Sequence, residues 1–452
     1  MKQFDYQAFF ITNGLAFEEA VQRYDTRRRQ LLAKCSHITL LSGVATPLSH
    51  HNIWLMPDVA LYQDPVMLYL TGLNQLNVGL ILDPFQDKIS LCLPKKDDNQ
   101  VFWEGDFLGL SELNHQEICE RFLVDDVLIY EDIAESVVSL IHDTKDLTLA
   151  LYWHDHESEE IADFYVLFKK MMEEALEEVD VNFVNCFHLL EDRVILDDVD
   201  RANLKQANQF TADVFKTVCK ALAGCSWETE VAGILKGNIF KYSWMGQSFP
   251  AIVASGKNAT ILHYKHHNHR LDQDALLLLD FGCRYEVMPA DISRTVPVNG
   301  RFNPLQRLLY TIVLEAQITV EKHVKEGITI DELNELCWSY IEAELDKRFF
   351  SKGGSCQRSY VKQPHNVSHL IGHMVHDGDP FRVYRSLPLQ SGMVISIEPG
   401  IYGHFSIDID GNMYDEELGI RIEDNVVVTG DGCDNLSSDC PKSVLDIEAL
   451  CS

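Results

Sequence analysis

The stretch L-L-L-L-D-F-G-C-R-Y-E-V-M-P-A-D-I-S-R-T, residues 276–295, decides how this chain reads. An apolar run ends at Asp280, a turn containing Gly282 follows, and Asp291 stands eleven residues after Asp280. Two antiparallel strands joined in this way would bring both carboxylates to one place. Aspartate is common in turns and at strand ends, so the pair alone carries little. The four leucines make Asp280 a carboxylate at the end of a buried strand, and such a charge needs a partner or a metal.

The same pattern recurs downstream. Glu398 lies in M-V-I-S-I-E-P-G-I-Y and Glu423 in G-I-R-I-E-D-N-V-V-V, each inside an apolar strand pattern where a solvent-facing acid is not expected. A salt bridge, for instance to Arg421, accounts for one such acid and not for four. Between them, P-H-N-V-S-H-L-I-G-H-M-V-H-D-G-D-P supplies His365, His369, His373 and His376. Neutral imidazole ligates divalent transition metals and carries protons near neutral pH. At least two of these histidines are expected to be hydrogen-bonded pocket residues instead. Together Asp280, Asp291, His369, Glu398 and Glu423 have the make-up of a two-metal hydrolytic site. His266, His267 and His269, after His263, read as a polar loop. D-I-D-G-N-M from Asp408 is not a calcium loop, because Gly411 is at its fourth position instead of the sixth.

Composition sets the outer bounds. At 452 residues the chain is too long for one ordinary core, and 46% apolar with 24% charged residues is usual for a globular enzyme. A net charge of −31 argues against nucleic acid and against an anionic membrane surface as partners. The one basic run, Arg27-Arg28-Arg29, reads as a solvated helix face. Twelve cysteines are scattered without a C-x-x-C, which reads as reduced thiols. Met1–Phe17 lacks a signal-peptide layout, and no apolar run nears the roughly 18 residues that span a bilayer. A cytoplasmic location is the expectation.

Phe17–Leu32 reads as a helix, and His37–Val44, Met67–Leu73, Val78–Leu82 and Ile89–Leu93 as strands. Helical stretches at Ile133–His142 and Glu159–Glu178 complete an α/β N-terminal half. Val199–Leu222 and Ser226–Lys236 follow as amphipathic helices, the second with Ser226 as N-cap. The domains expected are therefore residues 1–185 and 186–452.

At this point the residues carry a resemblance. The ordered set I-L-H-Y at His263, D-F-G with D-I-S-R-T, H-x-x-S-H with a histidine seven residues on, S-I-E-P-G-I-Y and G-I-R-I-E-D resembles the pita-bread metallopeptidases. Within them it is similar to the Xaa-Pro aminopeptidases, also called aminopeptidase P. R-R-R-Q-L-L and D-P-V-M-L-Y-L-T-G-L-N resemble that family's non-catalytic domain. The resemblance implies an α+β chain, with a creatinase/aminopeptidase-like pita-bread catalytic domain preceded by a smaller α/β domain. It implies two divalent metal ions, most often Mn2+, one held by Asp280 and the other by His369 and Glu398, with Asp291 and Glu423 bridging. Glu398 would take a proton from the bridging water, and His263, His365 and His376 would be catalytic pocket histidines. His263, His376, Tyr402 and Arg421 would bind the substrate, a peptide with proline second. A homodimer or homotetramer is implied as well. Prolidase, an Xaa-Pro dipeptidase, would use the same five ligands, but the compact segment Tyr402–Gly419 looks more like the aminopeptidase. A non-catalytic pita-bread binding protein would typically lose ligands, and a methionine aminopeptidase would not need the extra domain. Three positions depart from the family pattern: Asn366 stands for a usual glycine, His373 for an apolar residue and Pro289 for a small flexible one.

Overall fold

The computed structural model describes residues 9–44, 63–111, 114–152, 162–356, 363–379 and 382–451. The expectations that fall on Met1–Ala8 and on the start of the helix from Glu159 lie outside these ranges. The chain divides into two compact units, Met1–Arg193 with Asp379–Phe381, and Val194–Gly378 with Arg382–Ser452. The boundary expected at residue 186 falls just before the short 3-10 segment Phe187–Val194.

The first unit is built on six strands: β1 (Ile38–Ser42), β2 (Gly79–Asp83), β3 (Lys88–Leu93), β4 (Asp126–Ile129), β5 (Thr148–Leu151) and β6 (Asn182–Asn185). They form one mixed sheet in the order β4-β3-β2-β1-β5-β6. β1 to β3 pair antiparallel, while β4 joins β3, β5 joins β1 and β6 joins β5, all in parallel. Every residue of β1 and β2 is buried, the near-continuous apolar reading of strands covered on both faces. The helices are α1 (Phe17–Leu32), α2 (Pro65–Thr71), α3 (Asp98–Glu104), α4 (His115–Phe122), α5 (Ile133–Thr144) and α6 (Ala162–Ala175).

Two expectations fail in this unit. Met67–Leu73 is not a strand, because Asp64 caps α2 by accepting from the amides of Val66 and Met67, Pro65 sits in the first turn, and Gly72 ends the helix at φ 68°. The helix is apolar nearly all round, which mimics a buried strand. The arginine run is not a solvated face either. Arg28 is 3% exposed and donates to the carbonyls of Leu70 and Phe122, closing the C-terminal ends of α2 and α4. Arg27 donates to Tyr69 O and stacks 4.1 Å from the Tyr69 ring, leaving Arg29 as the exposed member.

The second unit combines antiparallel sheets with long helices. β7 (Ile252–Ser255), β8 (Leu276–Phe281) and β11 (Ile292–Pro297) form one sheet with β8 central, and the two-residue strands β9 (Arg284–Tyr285) and β10 (Met288–Pro289) form the turn between β8 and β11. β12 (Ser355–Cys356), β15 (Gly400–Ile409) and β16 (Asn412–Arg421) form a second sheet. β13 (Leu370–Ile371), β14 (Val394–Ile397), β17 (Asp424–Val428) and β18 (Cys433–Asn435) form a third. The helices are α7 (Asp198–Ala221), α8 (Glu228–Tyr242), α9 (Pro304–Glu321), α10 (Ile330–Arg348) and α11 (Val444–Cys451). Phe215, Phe281, Tyr310, Trp338, Phe349 and Phe405 fill the core. Ser226 does not cap α8. The helix starts two residues later, and Glu230 reaches back to the amides of Ser226 and Trp227. Among the described residues no helix is long and apolar enough to cross a membrane.

Candidate active site

The five residues singled out in the sequence converge at strand ends of the second unit. The antiparallel register of β8 and β11 places Asp280 opposite Ser293, so Asp291 lies one pleat beyond it. Gly282 makes the turn possible, since a Cβ there would sit 1.8 Å from the carbonyl oxygen of Ala290. His369 precedes β13, Glu398 follows β14, and Glu423 lies between β16 and β17. His369 Nε2 is 3.5 Å from Asp291 Oδ2, 3.4 Å from Glu398 Oε1 and 3.9 Å from Glu423 Oε1. Donor atoms within 4.8 Å of one another form three groups: Asp280, Asp291 and Glu423; His369, Glu398 and Glu423; Asp291, His369 and His376.

Asp280, Asp291, His369 and Glu423 are buried, Glu398 is half-buried and His376 is exposed, and the acids are short of hydrogen-bond donors. Asp280 Oδ1, Asp291 Oδ1 and Glu423 Oε1 accept no hydrogen bond. Burial, with Asp280 and Glu398 nearby, pushes the Asp291 carboxyl well above its ordinary value. Burial and neighbouring acids do the same to Glu398, chiefly through Glu423, and to Glu423, chiefly through Asp291. Clustered buried carboxylates ionise only when positive charge is supplied. Arg421 supplies one, its Nη2 donating to Asp280 Oδ2 at 2.6 Å. Oxygens left facing one another across a few ångströms fit divalent cations, and the imidazole completes a mixed oxygen and nitrogen donor set. His369 Nδ1 donates to Leu370 O at 3.2 Å, which leaves the Nε2 lone pair aimed at the acids. Burial lowers the pKa of this ring to about 4 and keeps it neutral.

A polar ring holds the acids in place. Arg421 Nε donates to Ser293 Oγ at 2.8 Å, and Ser293 Oγ donates to Glu423 Oε2 at 2.8 Å. Arg421 Nη1 donates to the hydroxyl of Tyr402 at 3.1 Å. His365 Nδ1 faces the carbonyl of Asn366 at 2.9 Å and so carries the proton, which makes Nε2 the acceptor for the Tyr402 hydroxyl at 3.0 Å. Burial, then Arg421, lowers the His365 pKa to about 4. The His376 ring lies 4.2 Å from His369, which with burial brings it down to about 3. His263 is exposed on the loop after Leu262 and lies near enough to His365 and His376 to disfavour protonating either.

Of the departures, Asn366 accepts both terminal nitrogens of Arg385, at 2.9 and 3.0 Å, in the amide orientation that satisfies both groups. His373 is 1% exposed, lies 3.7 Å from Asp200 and belongs to none of the three donor groups. Pro289 is buried in β10, paired with Arg284.

Three supporting residues escaped the sequence reading. Ser293 binds Glu423, Ser396 accepts from the His369 amide, and Asn425 clasps the backbone of Asp291 through Asp291 N (3.0 Å) and Asp291 O (2.6 Å). Each lies two residues from an acid of the site, Ser293 from Asp291, Ser396 from Glu398 and Asn425 from Glu423. Same-face spacing in a strand is the signal that would have found them.

The comparisons with known proteins agree with this geometry. Residues 202–430 match the model of metallopeptidase family M24, and residues 24–150 match the aminopeptidase P N-terminal domain. The chain belongs to metallopeptidase family M24, with the pita-bread catalytic domain preceded by the smaller aminopeptidase P domain. Xaa-Pro aminopeptidase 3 of Rattus norvegicus is 29% identical, covering 98% of this chain and 87% of its own. Aminopeptidase P of E. coli with the inhibitor Pro-Leu is 25% identical with a TM-score of 0.74, covering 95% of this chain and 98% of its own. The zinc-substituted E. coli enzyme in complex with product is 26% identical with a TM-score of 0.75, over the same shares of the two chains. The protein is a metalloaminopeptidase.

Proposed function

We propose that this chain releases the N-terminal residue from peptides with proline in second position, using two divalent cations held by Asp280, Asp291, His369, Glu398 and Glu423. One observation carries the metal assignment: the three buried carboxylate oxygens that accept no hydrogen bond belong to acids packed against one another. Of the four acids, Asp291 and Glu423 each belong to two of the three donor groups and Asp280 and Glu398 to one, which would suit the first two to bridge. Asp280 would then hold one ion, and His369 with Glu398 the other. A carboxylate-rich site with one imidazole suits manganese. When bound, such a pair supplies a hydroxide at neutral pH and a polarised scissile carbonyl.

The chain's own groups do the rest. Glu398, whose proton affinity is raised by burial and then by the acids around it, takes a proton at its carboxylate and returns it to the leaving prolyl nitrogen. His263, exposed beside the cluster, donates to the oxyanion that develops on the scissile carbonyl. His365, bonded at both ring nitrogens, keeps Tyr402 and Arg421 in register, and Arg421 holds Asp280. His376 stays neutral beside His369 and binds the substrate. The N-terminal domain match and the Xaa-Pro aminopeptidase relative support the proline specificity. An X-Pro bond lacks the amide N–H that extended-backbone clefts bind, so it needs a dedicated pocket.

The test is release of the first residue from Xaa-Pro dipeptides and from Xaa-Pro-Yaa tripeptides, with manganese and then with chelator. Cleavage of the tripeptides, abolished by chelator, is expected. Cleavage of dipeptides alone would move the assignment to prolidase, and none by metal-loaded protein would refute the hydrolytic reading.

A further inference from the structure

Outside the acidic cluster the second unit contains another fully buried carboxylate, Glu228, at the first position of α8. Its Oε1 accepts from Ser255 N and Ser255 Oγ, both at 2.8 Å, and from Asn258 Nδ2 at 3.0 Å. Its Oε2 accepts from the hydroxyl of Tyr264 at 2.8 Å and from His269 N at 3.2 Å. Burial opposes the charge, but the bonds from Asn258, Ser255 and Tyr264 outweigh it and the carboxyl sits below its ordinary value. Backbone bonds reinforce the contact, with Glu228 N donating to His269 O at 3.0 Å and Leu271 N to Ser226 O at 2.9 Å.

The donors are not scattered. Ser255 ends β7, Asn258 lies in the 3-10 turn after it, and Tyr264 and His269 lie at the two ends of the histidine-rich loop. His263 is the neighbour of Tyr264 and is exposed where Tyr264 is buried. Tyr264 shares a small apolar cluster with Ala259, Leu278 and Tyr402, and Tyr402 is the hydroxyl that joins His365 to Arg421. Behind the turn, a Cβ at Gly419 would meet the carbonyl oxygen of Ala259 at 2.0 Å, so the loop's base rests directly on β16. One carboxylate therefore ties both ends of this loop to the strand end and turn that precede it.

We propose that Glu228 is the positioning residue for His263: a buried carboxylate outside the cleft whose five hydrogen bonds fix the loop that carries the oxyanion-facing histidine. The inference rests on the reading of His263 given above. A displacement of about 1 Å at a catalytic group costs roughly 100-fold in rate, so the loop's rigidity is worth a measurable factor.

Glu228→Gln keeps the shape but sets an NH2 against the donors Tyr264 and His269, and Tyr264→Phe removes the hydroxyl's bond to Glu228, together with those to Asn258 and Asn268, while keeping the ring in its cluster. Both are to be assayed as metal-loaded protein, alone and combined with His263→Ala, with metal content and thermal midpoint measured on each. Glu228→Gln is expected to lower kcat/KM roughly 10- to 100-fold with metal content unchanged, and Tyr264→Phe less. Neither should cost anything further once His263 is gone. If His263→Ala is slow and Glu228→Gln slows it again by the same factor, the positioning role is overturned and His263 keeps its own. If His263→Ala alone is as fast as the parent, the reading of His263 fails and the inference with it. Should Glu228→Gln not fold, the Tyr264→Phe pair decides by the same criterion.

Discussion

Glu423 and Asp424 are consecutive residues, both buried, and the protein treats their charges in opposite ways. Asp424 is surrounded by donors: Arg294 Nη2 at 2.7 Å, Gln317 Nε2 and Asn435 Nδ2 at 2.9 Å each, and Lys442. Against burial, Arg294 and Lys442 bring its pKa down to about 2. Glu423 has one donor, Ser293, and three acidic neighbours, Asp280, Asp291 and Glu398, and burial with these acids pushes its carboxyl up. The first acid is complete within the chain; the second is complete only with charge from outside. Burial alone does not distinguish a structural carboxylate from a functional one. What distinguishes them is whether the chain brings its own cations.

Four measurements would break or sharpen this contrast. The largest effect is expected for Asp291→Ala and Glu423→Ala, which should reduce turnover to background and deplete bound metal, as elemental analysis would show. Full activity in either would sink the bridging assignment. Next, Arg294→Met should destabilise the fold by about 3–5 kcal/mol in denaturant titration, because it strips Asp424 of a buried partner. Metal stoichiometry in the fraction that folds should not change. Third, His365→Ala should slow turnover roughly 100-fold with metal retained, a loss on the scale of one misplaced transition-state donor; loss of metal with the rate would make it a ligand instead. The smallest effect is in pH. The depressed Asp424 contributes stability that is present above the usual carboxylate range and lost as pH falls towards about 2. The raised acids of the cluster behave oppositely, favouring the chelated fold below their ordinary values and ceasing to do so as pH rises. Melting curves of chelated protein should therefore fall from mildly acidic to neutral pH, and added manganese should remove that slope.

The sequence carried the acids and histidines because each stands in conflict with its surroundings. A charge after four leucines has few bland explanations, and the register of β8 and β11 delivered the pairing that the spacing implied. It carried α1 and α5 as helical stretches. It did not carry α2, since seven residues that are apolar nearly all round lack a period, and only Asp64-Pro65 and Gly72 marked the ends. Nor did it show that Arg27 and Arg28 are buried, because carbonyl acceptors at distant helix ends leave no trace in local composition. Glu228 was passed over for the same reason. Its partners Ser255 to His269 are 27 to 41 residues away, and every one of them is ordinary loop chemistry when read alone.

The five side chains of the cluster are spread from Asp280 to Glu423, and Arg294, which backs the last of them, is held by the carbonyls of Cys440 and Pro441. On a ribosome adding about 5–20 residues per second, the first and last of the five emerge roughly 7–30 s apart. Through that interval the nascent protein has no assembled centre, so a peptidase able to clip exposed amino termini is inert until its own fold is essentially finished.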